Sequence, residues 1–383
     1  MFCLEKRIPR ELFWAGFGFQ IWCQLLTHIV RAGDDSLLVI DEPEVYLHPD
    51  VQRQLLGILR DVGPDILIAT HSTEIMGDAD PSEILLVDKS KRSAERLRDV
   101  EGVQAAMELV GSVQNITLTQ LARNRRVLFV EGLKDFRILR RFAYRAGLVE
   151  LASGVDLTPV ESEGFSSWER IRSLSWGLEK TLGEALHIGA VFDHDYWCPE
   201  EVEAIKAELS QHLDFAHIYA RKEIENYLLV PSVLERAVKK AITERARRTG
   251  EAVTADETAS EILERITKPL RNALQAQYIA KRTAYFQHAS RDKAIITTEA
   301  IELFNARWER LGTRLEIVPG KDVLNSFREV IQSKYGITLT DYRIIDEFKS
   351  EEVPSDLLDL LGSLDDYRHQ KRTNREAETD VVG

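Results

Sequence analysis

The sequence predicts an α/β protein in which parallel β-sheets are flanked by helices, with a helical region in its second half. Three observations lead there. Short apolar runs alternate with amphipathic stretches from residue 36 to about residue 220, the pattern of strands joined by crossover helices. From about 231 to 311 the runs stop and the pattern becomes helical and highly charged. The chain has 383 residues, 44% hydrophobic and 30% charged, which is room for two or three domains with real cores.

The elements follow in order. "SLLVID" (36–41) reads as a buried strand, about 50–61 as a helix, and "DILIAT" (65–70) as the neighbouring strand. "SEILLVD" (82–88) reads as a third strand, and "KSKRSAERLRDVEG" after it as a solvated segment. A short helical region then runs to a boundary near 122, giving a first domain over 1–122. "RVLFVE" (126–131) opens a second one as a strand. A helix over 135–147 follows, with Phe136, Leu139, Ala143 and Ala146 on one face. "VDLTPVE" (155–161) is a strand and "SSWERIRSLSWGLEKTLG" a helix closed by Gly183. "LHIGAVFD" is a strand, 199–212 a helix and "DFAHIYA" a strand, completing a core over 123–230. The helical region spans 231–312. "RLEIVPGKDVLNSFREVIQ" returns to strand, turn and helix within 313–365, and "DDYRHQKRTNREAETDVVG" supplies a polar, disordered tail over 366–383.

Composition narrows the function classes. No apolar run approaches a membrane span, and "MFCLEKRIPRELFW" lacks the apolar core of a signal peptide. Three cysteines, irregularly spaced, suggest neither a disulfide framework nor a zinc site, so a reducing cytoplasm is the simplest location. The net charge of −13 argues against a nonspecific nucleic-acid coat. An enzyme meeting phosphates through local basic patches and metal ions stays open.

Two constellations carry chemistry. In "LLVIDEPEVYLHPD" an apolar strand delivers Asp41 and Glu42 at its end, and "ILIATHS" delivers His71 at the end of the next. Such an aspartate suits magnesium, the following carboxylate the attacking water, and the histidine a γ-phosphate. "DEPEVYLHP" followed by "ATHS" resembles the Walker B, D-loop and switch-histidine series of ABC-type ATPases. "WAGFGFQIWCQLL" sits where their signature and its helix belong, but departs from the serine-glycine-glycine style. No G-x-x-x-x-G-K-[ST] occurs anywhere; the only Gly-Lys pair is Gly320-Lys321, followed by Asp322. The sequence thus reads as an N-terminally truncated ATPase.

The second constellation is "RRVLFVEGLKDF", ending a strand in Glu131, and "HIGAVFDHDYW", ending another in Asp193 and Asp195. Alternation along an extended strand would point 193 and 195 one way and His194 the other. Two carboxylates plus one from a neighbouring strand end make a hard-oxygen site of the kind magnesium prefers. Glu-Gly and Asp-x-Asp on consecutive sheet motifs resemble a Toprim domain. "EGLKDFRIL", with Asp135, and "ARKEIENYLLVP", with Glu223 and Glu225, placed after an ATPase, resemble the OLD (overcoming lysogenization defect) family of ATP-dependent endonucleases. The resemblance implies Glu131, Asp193 and Asp195 as metal ligands and Asp135 and Glu225 at a second Mg²⁺ or Mn²⁺. It also implies a catalytic lysine, which "VPGKD" places at Lys321. ATP belongs to the full-length family architecture, with DNA as substrate and a homodimer or higher homo-oligomer as the assembly. Plainer readings stand beside these. Asp135 suits a helix N-terminus, Glu225 suits a pair with Arg221, and Lys321 suits an ordinary first-turn lysine. Ser162, Ser166 and Ser167 flank Gly164 in a turn that suits a phosphate. A catalytically silent scaffold and a topoisomerase-like enzyme are the alternatives; no local motif marks a nucleophile among the ten tyrosines.

The missing phosphate loop yields a prediction. A loop's charge-assisted hydrogen bonds are worth about 1.5–3 kcal/mol each, whereas millimolar affinity amounts to only about 4 kcal/mol. Residues 1–383 alone should neither hydrolyse ATP nor bind it measurably, and Glu42→Gln should leave any DNA cleavage unchanged. Micromolar binding in a calorimetric titration would overturn this.

Overall fold

The computed structural model describes residues 2–5, 8–33, 36–47, 49–60, 65–72, 75–76, 79, 83–87, 94–96, 124–154, 156–162, 185–250, 254–287 and 291–369. The chain divides into two compact units, Met1–Thr119 and Gln120–Gly383. The helix expected before Gly183, with Trp168, Gly164, Ser166 and Ser167, lies outside the described residues.

In the first unit, β1 (Phe2–Glu5) and β2 (Ile8–Glu11) form an antiparallel pair. Helix α1 spans Phe17–Arg31, β3 Leu37–Asp41, α2 Pro49–Arg60 and β4 Asp65–Ala69. β3 and β4 are parallel, with Asp41 opposite Ala69. Strand alternation splits their residues. Leu38, Ile40, Ile66 and Ile68 pack with Ile29, Leu55 and Leu59, whereas Leu37, Val39 and Leu67 are exposed. The run at 82–88 contributes less than expected: among its described residues only Leu85–Leu86 (β5) pairs, antiparallel to Glu95–Arg96 (β6). The partner strand comes from the segment read as solvated, because β6 needs only backbone groups to pair.

The second unit is built on a four-stranded parallel sheet. β7 is Arg126–Val130, β8 Thr158–Glu161, β9 His187–Phe192 and β10 Phe215–Ile218, in the order β10-β9-β7-β8. Between them run α3 (Leu133–Arg145), α4 (Val149–Ser153) and α5 (Pro199–His212). The central strands are buried on both faces, which explains their unbroken apolar runs. Val127, Phe129, Ala190 and Phe192 meet Val202, Ile205 and Leu209 of α5. Leu128, Val130 and Val191 share a core with Phe136, Leu139 and Phe142 of α3. From β7 the chain moves out to β8, and from β9 the other way to β10. The strand order therefore reverses between β7 and β9, where a crevice opens at the carboxyl ends in such sheets.

The remaining helices are α6 (Pro231–Thr249), α7 (Ala259–Thr267), α8 (Arg271–Tyr285) and α9 (Lys293–Trp308). Then come α10 (Leu311–Leu315), α11 (Gly320–Tyr335), α12 (Asp341–Ile345) and α13 (Ser355–His369). Their apolar faces join the α3 side of the sheet in one core.

Three expectations are corrected here. "RLEIVP" is not a strand: Arg314 and Leu315 end α10, with Arg314 buried against Glu264 at 2.8 Å. "EIENYLL" is not strand-like: Ile224–Leu228 forms a 3₁₀ helix, entirely buried. A short apolar run does not reveal its period, and here the helical solution won. The polar tail begins later than expected, because α13 continues to His369. Tyr367 is fully buried beneath the sheet, its hydroxyl donating to the Val127 carbonyl at 3.1 Å and its ring stacked on Phe215. Arg368 is held by Glu150, Asp156 and Asp365. A charged sequence hid one buried aromatic and one fully paired arginine.

Tyr367→Ala should therefore destabilise the protein by about 3–5 kcal/mol in urea unfolding, as for other buried aromatic truncations. A change below 1 kcal/mol, on the order of a surface substitution, would return residue 367 to a solvated tail.

Candidate active site

Glu131 follows β7 directly and Asp193 follows β9, so the two acids stand at the carboxyl ends of the central strands, at the reversal in strand order. They meet. Both the side chain and the backbone of Asp193 act on the Glu131 carboxyl. Burial pushes Glu131 up from its ordinary value, and the charge of Asp195 adds to the rise, while the bonds from Asp193 oppose it. Asp193 is pushed up to about 10, chiefly by burial and then by the charges of Glu131 and Asp135. Both carboxyls are therefore held above their ordinary values. Asp193 Oδ1 is buried without a hydrogen-bond partner.

Asp195 is placed differently from the sequence reading. The strand ends at Phe192, so the pleat no longer relates 193 to 195. Asp195 and Tyr196 both take left-handed backbone, φ 48° and 62°, in a turn that leaves Asp195 exposed and Tyr196 buried. Two such non-glycine residues in succession are strained. His194 is half-buried; burial and the charge of Arg307 pull its imidazole down to about 4. Its N–H donates to the Lys222 carbonyl at 2.9 Å. Among the described residues no three His, Cys, Asp or Glu side chains form a ready-made ligand set for a metal ion.

Asp135 sits in the first turn of α3 and accepts from the Gly132 N–H at 3.0 Å, the helix-start role considered above. It does more than cap. Burial, then the charge of Glu225, pushes its carboxyl up to about 7. Glu225 is buried and accepts from Lys134 at 3.2 Å, not from Arg221. Lys134 also holds Asp341 at 3.2 Å, and Asp341 meets Arg328 at 2.5 Å. Arg221 instead lies over the Tyr227 ring and donates to the Asn226 carbonyl.

Lys321 is brought here by its backbone. Its N–H donates to Glu223 Oε1 at 2.6 Å, while Lys222 Nζ holds Glu223 Oε2 at 2.7 Å. Fully buried Asn226 makes this docking possible. It donates to the Leu315 and Val318 carbonyls at 2.7 and 2.9 Å and accepts from the Glu223 N–H. Gly320 is required, since a Cβ there would lie 2.7 Å from the Asn226 nitrogen. The Lys321 side chain is exposed on the first turn of α11. Ser162 is spent internally, donating to the Val130 carbonyl. Sequence reasoning missed Lys134, Lys222, Asn226 and Asp341. The only available signal was the density of charge in "RKEIEN", where burial reverses the usual meaning of a charged run.

In the first unit, Asp41 and Glu42 are exposed at the end of β3, and Glu42 has φ 44°. His71 Nε2 lies 3.7 Å from Glu42 Oε1, as expected of a pair at neighbouring strand ends, though both are exposed and the pair adds little stability. The organising residue is Glu44, which was not singled out. It accepts from the His71 N–H at 2.6 Å and from the Thr70 hydroxyl at 2.8 Å. Ser72 donates to Gln52 and accepts from the Ile75 N–H. Gly18 in α1 lies so close to Tyr46 that a Cβ would overlap the Tyr46 carbonyl oxygen.

Residues 4–77 match the family described as "AAA domain, putative AbiEii toxin, Type IV TA system". The match spans Asp41, Glu42, Glu44 and His71 and stops short of Glu131. No Toprim or OLD family match accompanies it. A search of curated proteins found no match. Among the described residues no helix is long and apolar enough to cross a membrane.

The raised carboxyls set a pH dependence. The folded protein holds protons on Asp193 and Asp135 that the unfolded chain releases near 3.8. The resulting penalty is absent at lower pH and grows as pH rises towards about 7 for Asp135 and beyond for Asp193. Stability in chelator should thus fall from acid to neutral pH, by at most about 1.4 kcal/mol per pH unit per proton. Asp193→Asn should flatten this and raise the melting midpoint at neutral pH. A pH-independent midpoint in the wild type would show that the acids are not buried together.

Proposed function

We propose that this chain is a metal-dependent endonuclease of the OLD type, hydrolysing phosphodiester bonds in DNA at a Toprim-like site beside an AAA-type ATPase domain. The observation that supports it most is the meeting of Glu131 and Asp193 at the reversal in strand order, with Asp135 and Asp195 adding charge and Asp193 Oδ1 unpartnered. An oxygen-only, electron-rich and partly buried donor set fits Mg²⁺ or Mn²⁺. Glu131, Asp193 and Asp195 would hold one ion, and Asp135 with Glu225 a second. Bound there, such ions supply Lewis-acid stabilisation of the phosphate and acidify water.

The chain's own residues do the rest. Asp193, held well above its ordinary value, must lose its proton to act as a ligand. Lys134 holds Glu225 through Oε1 and so fixes where Oε2 points. Lys222 balances Glu223 beside the acids, and the first turn of α11 presents the Lys321 ammonium for charge developing on the phosphate. Asp41, Glu42 and His71 would face a nucleotide γ-phosphate once a phosphate cradle is supplied. ATP control and assembly as a homodimer or larger homo-oligomer follow from that reading. The toxin named in the matched family's description supports a role in phage defence.

A second reading, a catalytically silent subunit, is favoured by the exposed turn at Asp195 and the absence of a ready-made ligand set among the described residues. Supercoiled plasmid incubated with the protein and Mg²⁺ or Mn²⁺ decides. Nicked or linear product supports the nuclease, relaxed closed circles a topoisomerase-like enzyme, and unchanged plasmid the silent subunit. Glu131→Gln and Asp193→Asn should each lower cleavage at least about a hundredfold while folding normally. Wild-type rates in both would remove the acids from the mechanism.

A further inference from the structure

The acidic pocket leaves the α8–α9 hairpin unused, although an aromatic row ties that hairpin to it. The Tyr196 ring lies 5.3 Å from Tyr278 of α8, Tyr278 5.4 Å from Phe304 of α9, and Phe304 5.2 Å from Trp308, on which it stacks. Arg314 closes the row, 4.9 Å over the Trp308 ring, with its Nε donating to the Trp308 carbonyl. The residue after Asp195 is thereby packed into the hairpin.

Each helix of the hairpin also brings a cation to the same turn. Lys281 of α8 places Nζ 6.0 Å over the Trp197 ring, and the Trp197 N–H donates to the His194 carbonyl. Arg307 of α9, between Phe304 and Trp308 of the row in sequence, lies near enough to Tyr278 and His194 for its charge to act on both. Neighbouring Arg282 is engaged by Glu200 and Glu299. Lys281 and Arg307, by contrast, form no ion pair among the described residues; Lys281 only feels the charge of Glu201. Lys281 is exposed and Arg307 half-buried. A cation serving only the fold gains most from a carboxylate partner, and in a chain of net charge −13 such partners are plentiful.

We propose that the α8–α9 hairpin grips the phosphodiester backbone of a nucleic acid beside the acidic strand ends, through Lys281 and Arg307. The proposal rests on the nuclease reading for its substrate class and adds the residues that hold the polymer. A polyanion approaching carboxylates is repelled unless cations flank them. Each phosphate contact formed then releases a counterion, so affinity depends on salt.

The test is fluorescence anisotropy on the full chain in Ca²⁺, with labelled duplex DNA, single-stranded DNA and RNA, over a series of KCl concentrations. Lys281→Gln, Arg307→Gln, the double variant and the charge-preserving Lys281→Arg are compared, with melting midpoints to confirm folding. On duplex DNA the slope of log K against log salt should shrink by about 0.9 for each cation removed, and by about 0.7 on single strands. Lys281→Arg should keep the wild-type slope. The probe with the steepest wild-type slope identifies the polymer. An unchanged slope in the folded double variant, or no wild-type binding to any probe, overturns the grip. Plasmid cleavage by a wild type whose slope ignores both residues would sink the grip and leave the nuclease standing. Residue-dependent binding without cleavage in Mg²⁺ or Mn²⁺ would do the reverse.

Discussion

Like-charge crowding at the carboxyl ends of β7 and β9 is the constraint around which the second unit is arranged. Glu131, Asp135, Asp193, Asp195, Glu223 and Glu225 come from three segments far apart in the chain, and their charges act on one another. Bare carboxylates this close and this buried would oppose folding. The protein answers by holding the carboxyls of Asp193 and Asp135 above their ordinary values and by setting lysines among the acids. Lys222 binds Glu223, and Lys134 binds Glu225 and Asp341. Asp341 needs Arg328 as well, and burial still leaves it below its ordinary value because both cations face it. The helices beyond residue 311 thus complete the electrostatics of the sheet.

Docking of those helices depends on neutral chemistry. Asn226 uses both amide donors on carbonyls of the 315–318 segment, and Gly320 provides the space for its backbone. A buried amide with every bond made specifies one arrangement, whereas a carboxylate there would add to the crowding. Glu223 accepts from both its neighbour Lys222 and the Lys321 backbone, so the acidic site and the start of α11 form one construction.

Legibility in the sequence followed burial. The strands β3, β4, β7, β9 and β10 and helices α2, α3 and α5 were readable because each shows a single dominant period or an unbroken apolar run. The acids ending β7 and β9 were readable because a charge directly after such a run has one place to go. The geometry after Phe192 was not, since nothing in "DHDYW" announces two left-handed residues; aromatic packing of Tyr196 imposes that turn. The roles of Lys134, Lys222 and Asp341 were also hidden. A charge in sequence reads as solvent-facing, and only tertiary partners make it internal. Tyr367 was lost the same way, one buried ring among charged neighbours.

The two units use the same local device with opposite degrees of completion. In each, an apolar parallel strand ends in acids and the neighbouring strand end supplies a second group. In the first unit Glu42 and His71 are exposed, 3.7 Å apart, and only the backbone around them is fixed, by Glu44, Thr70 and Ser72. In the second, the acids at the strand ends are partly buried, and lysines stand among them. A fixed backbone with free side chains holds positions for groups whose partner arrives from elsewhere. Acids crowded away from solvent keep a like-charge repulsion that the surrounding lysines offset only in part and that a bound cation would relieve further. The first arrangement suits control by a ligand that must be brought in, and the second suits chemistry already assembled. That division is the physical reason we propose phosphodiester hydrolysis for the second unit and its regulation for the first.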